Sequence, residues 1–232
     1  MTDVSRETPS APDSARGAFS SDRFALAERY VELLATAGVE RGLIGPREAP
    51  RLWERHILNC LAVAAAIPHN VRVVDLGSGA GLPGLVLAIG RPDLSLTLVE
   101  PLERRTIFLT EVVDELGLDR VQVVRGRAEE LHGHQLFDIV TARALAPLSR
   151  LLGWAMPLVA PGGELLAMKG RSAAEEVLAA SEALRRHRCG APEICELSTP
   201  DGASAATVVR VARDDSDADR VRADNVVKGM GA

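Results

Sequence analysis

The chain has 232 residues, 47% of them hydrophobic and 25% charged, enough to bury one sizeable core, and no window approaches the ~18 consecutive apolar residues of a membrane-spanning helix. Its formal charge of −5, from 27 basic and 32 acidic side chains, excludes a protein that is basic all over. Cys60, Cys189 and Cys195 form no CxxC pair and, with His56 and His187, give no zinc-like spacing, so a disulfide scaffold and structural zinc are excluded and no metal is expected.

Residues 1–19, opening MTDVSRETPSAPDSARG, are rich in Ser, Pro, Ala and charge, with neither an apolar period nor the apolar stretch of a secretory signal. Residues 213–232 repeat that character with a run of aspartates. Both are predicted to be disordered tails around one domain over 20–212, in a cytoplasmic, monomeric protein. The first helix opens at Ser20, Ser21 or Asp22, carries Phe24, Ala27, Val31 and Leu34 at helical spacing, and ends at Gly38. A second begins near Pro46 or Pro50 and runs to Pro68, which makes residues 20–67 a helical extension. In a regular helix its Arg47, Arg51 and Arg55 share one face.

From Val71 the rhythm changes. Strands are predicted at Arg72–Leu76, Ser95–Glu100, Val121–Arg125, Phe137–Thr141, Glu164–Met168, Ile194–Leu197 and Thr207–Val211, with helices at about 84–90, 103–116, 147–157 and 173–187. Strands alternating with helical crossovers imply an α/β fold with a mostly parallel seven-stranded sheet covered on both faces. Ligands in such folds sit beyond the carboxyl ends of the strands.

The stretch VRVVDLGSGAGLPG, residues 71–84, joins the first strand to the next helix through Gly77, Gly79, Gly81 and Gly84. Glycines there permit positive φ and close approach of a ligand, and the helix start offers unpaired N–H groups. From Gly79 the spacing is also G-x-G-x-x-G, the dinucleotide signature, so a nicotinamide-dependent oxidoreductase is a rival reading. Asp75 weighs against it: a loop facing a pyrophosphate has little use for a carboxylate, whereas one facing a cationic sulfonium amino acid does. Glu100, at the end of the second strand, is placed to accept hydrogen bonds from both ribose hydroxyls. Together these acids and glycines fit S-adenosylmethionine better than NAD. The plain alternatives are a loop-capping Asp75 and a solvated Glu100. In RAEEL (127–131), Ala128 and Glu129 are candidates to lie over an adenine, although acids in a first turn also complement a helix dipole.

The set ERHILN (54–59), DLGSGAGLPG (75–84), RAEEL (127–131), TARA (141–144) and MKG (168–170), in that order, resembles the RsmG family, also called glucose-inhibited division protein B, over roughly 20–212. The resemblance implies a Rossmann-like, S-adenosylmethionine-dependent methyltransferase that modifies N7 of the guanine at position 527 of bacterial 16S ribosomal RNA, as RNA or within the small subunit. It also implies cofactor contacts at Gly77, Leu82, Ala128, Glu129 and Arg143. Asn59 departs from the pattern, since many relatives have an aspartate there.

After the fourth strand the chain reads Phe137-Asp138-Ile139-Val140-Thr141-Ala142-Arg143, without the Asn or Asp, Pro-Pro and aromatic set of many amino-group methyltransferases. Guanine N7 has a free lone pair, so attack on a sulfonium methyl requires alignment but no general base. Arg143 and Lys169, following the fourth and fifth strands, are the expected catalytic residues, by contact with guanine O6, a phosphate or the cofactor carboxylate. Their plain alternatives are an Arg143 ion pair with Asp138 or Glu129 and a solvated Lys169. Arg51, Arg55 and His56 are the expected RNA contacts, against the alternative of a solvated face laced with Glu48 and Glu54. A non-catalytic ribosome-assembly protein that kept the cofactor loop is the remaining rival.

Overall fold

The computed structural model describes residues 9–214. Seven strands, β1 (Arg72–Leu76), β2 (Ser95–Glu100), β3 (Val121–Arg125), β4 (Phe137–Arg143), β5 (Val159–Met168), β6 (Glu193–Ser198) and β7 (Ala205–Ala212), form one sheet in the order β3-β2-β1-β4-β5-β7-β6. The first five are parallel, while β7 runs antiparallel between β5 and β6. The strand order reverses direction between β1 and β4, the topological switch point at which open α/β sheets form a ligand crevice. β4 runs two residues beyond its predicted end, which makes Arg143 the last residue of the strand.

Helices cover both faces. On one lie α1 (Asp13–Ala18), α2 (Ser21–Leu33), α3 (Asn59–Ala62), α4 (Gly84–Gly90) and α5 (Glu103–Leu116); on the other lie α6 (Leu148–Ala155), α7 (Ala173–Ala179) and α8 (Ser181–Arg186). α4 is apolar around its circumference because it lies between the sheet and the N-terminal extension, and Leu85 to Ile89 are all buried. α5 is amphipathic, burying Phe108, Leu109, Val112 and Leu116, and ends where Gly117 takes the left-handed conformation (φ 59°). Each large side chain so removed from water contributes roughly 1.5–3 kcal/mol.

Two expectations for the N-terminal region need correction. Residues 1–19 are not a tail in their second half: Ala15 and Phe19, four apart, dock α1 on the core, and Trp53 Nε1 donates to the Pro9 carbonyl at 3.0 Å. Phe24 and Trp53 stack beside it with ring centroids 5.9 Å apart. The second helix is not one regular helix either. It is a 3₁₀ turn at Ala49–Arg51, a π-helical stretch at Leu52–Leu58, α3, and another 3₁₀ turn at Val63–Ala66. A change of pitch along this stretch removes the premise that Arg47, Arg51 and Arg55 form a single row. Residues 1–8, and the predicted acidic tail beyond Asp214, lie outside the described residues. Among the described residues no helix is long and apolar enough to cross a membrane.

Candidate cofactor and acceptor site

The glycine loop is held from three directions. Beneath it, fully buried Asp75 accepts the Gly84 N–H on Oδ2 at 3.0 Å, and its backbone carbonyl accepts the Ser78 hydroxyl at 2.9 Å. A Cβ on Gly84 would lie 2.8 Å from that Oδ2 and 2.3 Å from Leu98 Cδ2, so only glycine permits this approach. From β2, the Val99 carbonyl accepts the Gly77 and Ser78 N–H groups, and Glu100 Oε2 accepts the Gly79 N–H at 3.0 Å. From α2, Tyr30 donates to the Ala80 carbonyl at 2.8 Å. Gly77, Gly79 and Gly81 have φ of 68°, 60° and 100°, the left-handed region where side chains are costly. Leu82 follows and is joined to Pro83 by a cis peptide.

Burial pushes the Asp75 carboxyl up to about 7, against the bond from Gly84 and the charge of Arg143, which favour the carboxylate. Its Oδ1 is buried without a partner. A buried acceptor left without a partner beneath the loop is costly as it stands. It suits a cationic ligand above the loop.

Glu100 is not the solvated acid of its plain alternative. It is 1% exposed and links three elements, accepting from Gly79, from the Leu102 N–H (3.0 Å) and from Arg105 Nη1 (3.3 Å). Beyond it opens a cleft of about 280 Å³ lined by Gly77, Val99, Ala128, Glu129, Leu145 and Trp154. The adjacent acids divide their work: Glu130 accepts the Arg127 N–H at the start of the turn, while Glu129 is exposed on the cleft wall.

A second, larger cleft of about 720 Å³ lies across the switch point, with Arg55, Asn59, Arg143, Ala144 and Lys169 in its walls. Arg143 pairs with neither Asp138 nor Glu129. Its Nη2 donates to His56 Nδ1 (2.7 Å) and the Arg55 carbonyl (3.3 Å), and its Nη1 donates to Cys60 Sγ (3.3 Å). Because arginine stays protonated, His56 Nδ1 must be the acceptor. The proton on Nε2 then faces Glu48 Oε2 at 3.0 Å. Burial, and then the Arg143 charge, hold the His56 pKa below its ordinary value, so the ring is neutral. Both ring nitrogens are committed within the protein. Arg51 and Arg55 are exposed, but Arg55 is engaged by Glu48 at 3.2 Å.

Lys169 is likewise not solvated. Its side chain is 7% exposed and its Nζ donates to the Ala146 carbonyl and Glu176 Oε2, both at 2.7 Å. Glu176 Oε2 also accepts the Leu148 N–H at 2.9 Å, so this pair pins the segment after β4. Asn59 donates to the Ala205 carbonyl at 2.7 Å, a bond its amide makes and an aspartate could not.

Two residues of the site escaped the sequence reading. Tyr30 carried a signal, since a phenol on the apolar face of an amphipathic helix needs a buried acceptor. Cys60 carried none, because its role arises only where the extension meets β4. Among the described residues there is no group of three or more His, Cys, Asp or Glu able to hold a metal ion.

Residues 23–201 match the family model GidB, described as rRNA small subunit methyltransferase G. The chain is 65% identical over 209 residues to the Nocardioides sp. protein named ribosomal RNA small subunit methyltransferase G, covering 90% of this chain and 84% of that one. It is 55% identical over 222 residues to the Kineococcus radiotolerans protein of the same name, covering 90% and 87%. Among solved structures it is similar to the B. subtilis M1A22 tRNA methyltransferase TrmK, with a TM-score of 0.51 at 20% identity over 69% of this chain and 67% of that one, a likeness of fold alone.

Proposed function

The chain belongs to the rRNA small subunit methyltransferase G family, and from that membership we propose that it transfers a methyl group from S-adenosylmethionine to N7 of a guanine in 16S ribosomal RNA. The observation that carries the reading is the pair of clefts at the carboxyl ends of β1 and β4, with Gly77, Val99, Ala128 and Glu129 lining one and Arg143 and Lys169 the other. Neither rival is favoured: a nicotinamide enzyme gives no role to the orphaned Asp75 oxygen, and the relatives are named as methyltransferases. The substrate is proposed as 16S ribosomal RNA within a small-subunit particle in the cytoplasm.

Asp75, Gly77, Gly79, Gly81, Leu82, Glu100, Ala128 and Glu129 are proposed to hold the cofactor. Gly77 to Leu82 would present backbone to its amino-acid end, Glu100 would accept from the ribose, and Ala128 with Glu129 would flank the adenine. Bound there, the cofactor supplies a sulfonium methyl, which the N7 lone pair takes while the S–CH3 bonding electrons stay on sulfur and the positive charge passes to the guanine ring. No proton is removed, so the protein's task is alignment and charge. Arg143, tied to the extension by His56 and Cys60, sets a fixed positive charge at the acceptor cleft, and Lys169 secures the segment between the clefts.

N7 methylation makes the guanine ring reducible by borohydride and the RNA cleavable by aniline at that nucleotide. Small subunits from a strain lacking the protein, treated with purified protein and S-adenosylmethionine, should acquire one new cleavage at a 16S guanine. Methyl incorporation without cleavage would refute N7. Glu100→Ala should weaken cofactor binding by roughly 1–3 kcal/mol in calorimetry, the usual cost of losing charge-assisted hydrogen bonds in a buried site. It should also speed hydrogen exchange at the Gly79 amide, since that N–H loses its acceptor; unchanged cofactor affinity in the folded variant removes Glu100 from the site.

A further inference from the structure

The segment following β4 separates the two clefts. Ala144 and Ala146 line the acceptor cleft, whereas Leu145 between them lines the cofactor cleft with Gly77 and Trp154. Leu145 leans over the first glycine of the loop: a Cβ on Gly77 would lie 2.4 Å from Leu145 Cδ1. It is a large apolar side chain left 37% exposed, outside both hydrophobic cores. The backbone that presents it is unusual, because Ala144 has φ of 50°, a region that a non-glycine residue occupies only when its surroundings over-determine it.

The surroundings do so from both sides. Upstream, Arg143 is bonded to His56, Cys60 and the Arg55 carbonyl. Downstream, the buried Lys169 holds the Ala146 carbonyl, and Glu176 holds both Lys169 and the Leu148 N–H. Such anchoring is more than a surface loop requires, and its effect is to fix one leucine above the glycine turn.

We propose that Leu145 is a positioning residue for methyl transfer: an apolar partition at the boundary of the two clefts, which seats the cofactor over Gly77 and keeps water from the path to the guanine. The proposal rests on the function given above. The transferred charge begins on sulfur and ends on the guanine ring, so an apolar wall withholds no counter-charge that the step needs. Misplacement by a fraction of the side chain's width lowers the rate of an in-line transfer more than it weakens binding of RNA.

The test compares Leu145→Ala and Leu145→Met in a Trp53→Phe background, where tryptophan emission reports Trp154 in the cofactor cleft. For Leu145→Ala the expected results are a red-shifted emission, an S-adenosylhomocysteine dissociation constant raised about 5-fold by calorimetry, and a kcat on small subunits lowered about 10-fold with KM within about twofold. Leu145→Met should restore all three to near the parent, since an unbranched apolar chain of similar size fills the same space. The proposal is overturned if Leu145→Ala keeps parental cofactor affinity and kcat, or if Leu145→Met is no better than Leu145→Ala. A parent that binds S-adenosylhomocysteine yet methylates no 16S RNA would overturn the guanine reading alone, while emission and binding still decide whether Leu145 forms the wall of the cofactor cleft.

Discussion

Arg143→Ala is expected to lower kcat on small subunits by about 100-fold, the scale at which loosening a residue that fixes the geometry of an in-line transfer is felt. The substitution removes the cation at the end of β4 and, with it, the donor to His56 Nδ1, the Arg55 carbonyl and Cys60 Sγ. Those bonds join the N-terminal extension to the sheet, so thermal unfolding should also move down, by an amount of order 1.5–3 kcal/mol for lost charged hydrogen bonds. Arg143 also favours the carboxylate form of Asp75, which in the variant should take up a proton more readily. Arg143→Lys should recover part of the stability and less of the rate, because an ammonium cannot reproduce the fork that meets three acceptors. Turnover within threefold of the parent, at unchanged RNA affinity, would reduce Arg143 to a structural strut.

Asp75→Asn is expected to separate stability from cofactor affinity. The folded carboxyl titrates near 7 and the unfolded one near 3.8, so between those values the folded state holds a proton that the unfolded state has lost. Stability therefore falls as pH rises through that window, by at most about 1.4 kcal/mol per unit, and the full cost of the buried charge is present above about 7. The asparagine variant lacks this slope, so its stability relative to the parent should improve from pH 5 to 7 and then level off in urea titrations. Affinity for S-adenosylmethionine should move the other way, falling by roughly 1.5–3 kcal/mol if a charged hydrogen bond is lost. In the parent, that affinity should rise from pH 6 to 8 as the carboxylate forms; a flat profile would separate Asp75 from the cation.

Much of the frame could be read from local pattern. Alternating short apolar runs and helical segments placed β1, β2 and β3 at the residues where they stand; for β1 and β2 the reason is that a strand buried on both faces of a parallel sheet must be apolar nearly throughout. The run of glycines after Asp75 could be read as a turn needing positive φ, since no other residue type adopts it cheaply and repeatedly. The order of motifs from ERHILN to MKG was sufficient for the family resemblance.

What tertiary structure decided was the partner of each polar group. Arg143 had two nearby acids in sequence or sheet, Asp138 and Glu129, yet it bonds to His56 and Cys60, more than 80 residues away, because the π-helical stretch and α3 carry them to the end of β4. The same stretch breaks the arginine row that regular helical spacing implied. Lys169, expected at the site with a solvated side chain as its plain alternative, is buried because α7 brings Glu176 over the loop it supports. Residues 13–18 read as a tail because their composition is polar, and they are ordered because Ala15 and Phe19 meet a core built from other segments. Periodicity records which face of an element is dry, a property of neighbours a few residues apart. Which of several charged groups meets which is settled where distant elements converge at the carboxyl edge of the sheet, and no local spacing carries that information.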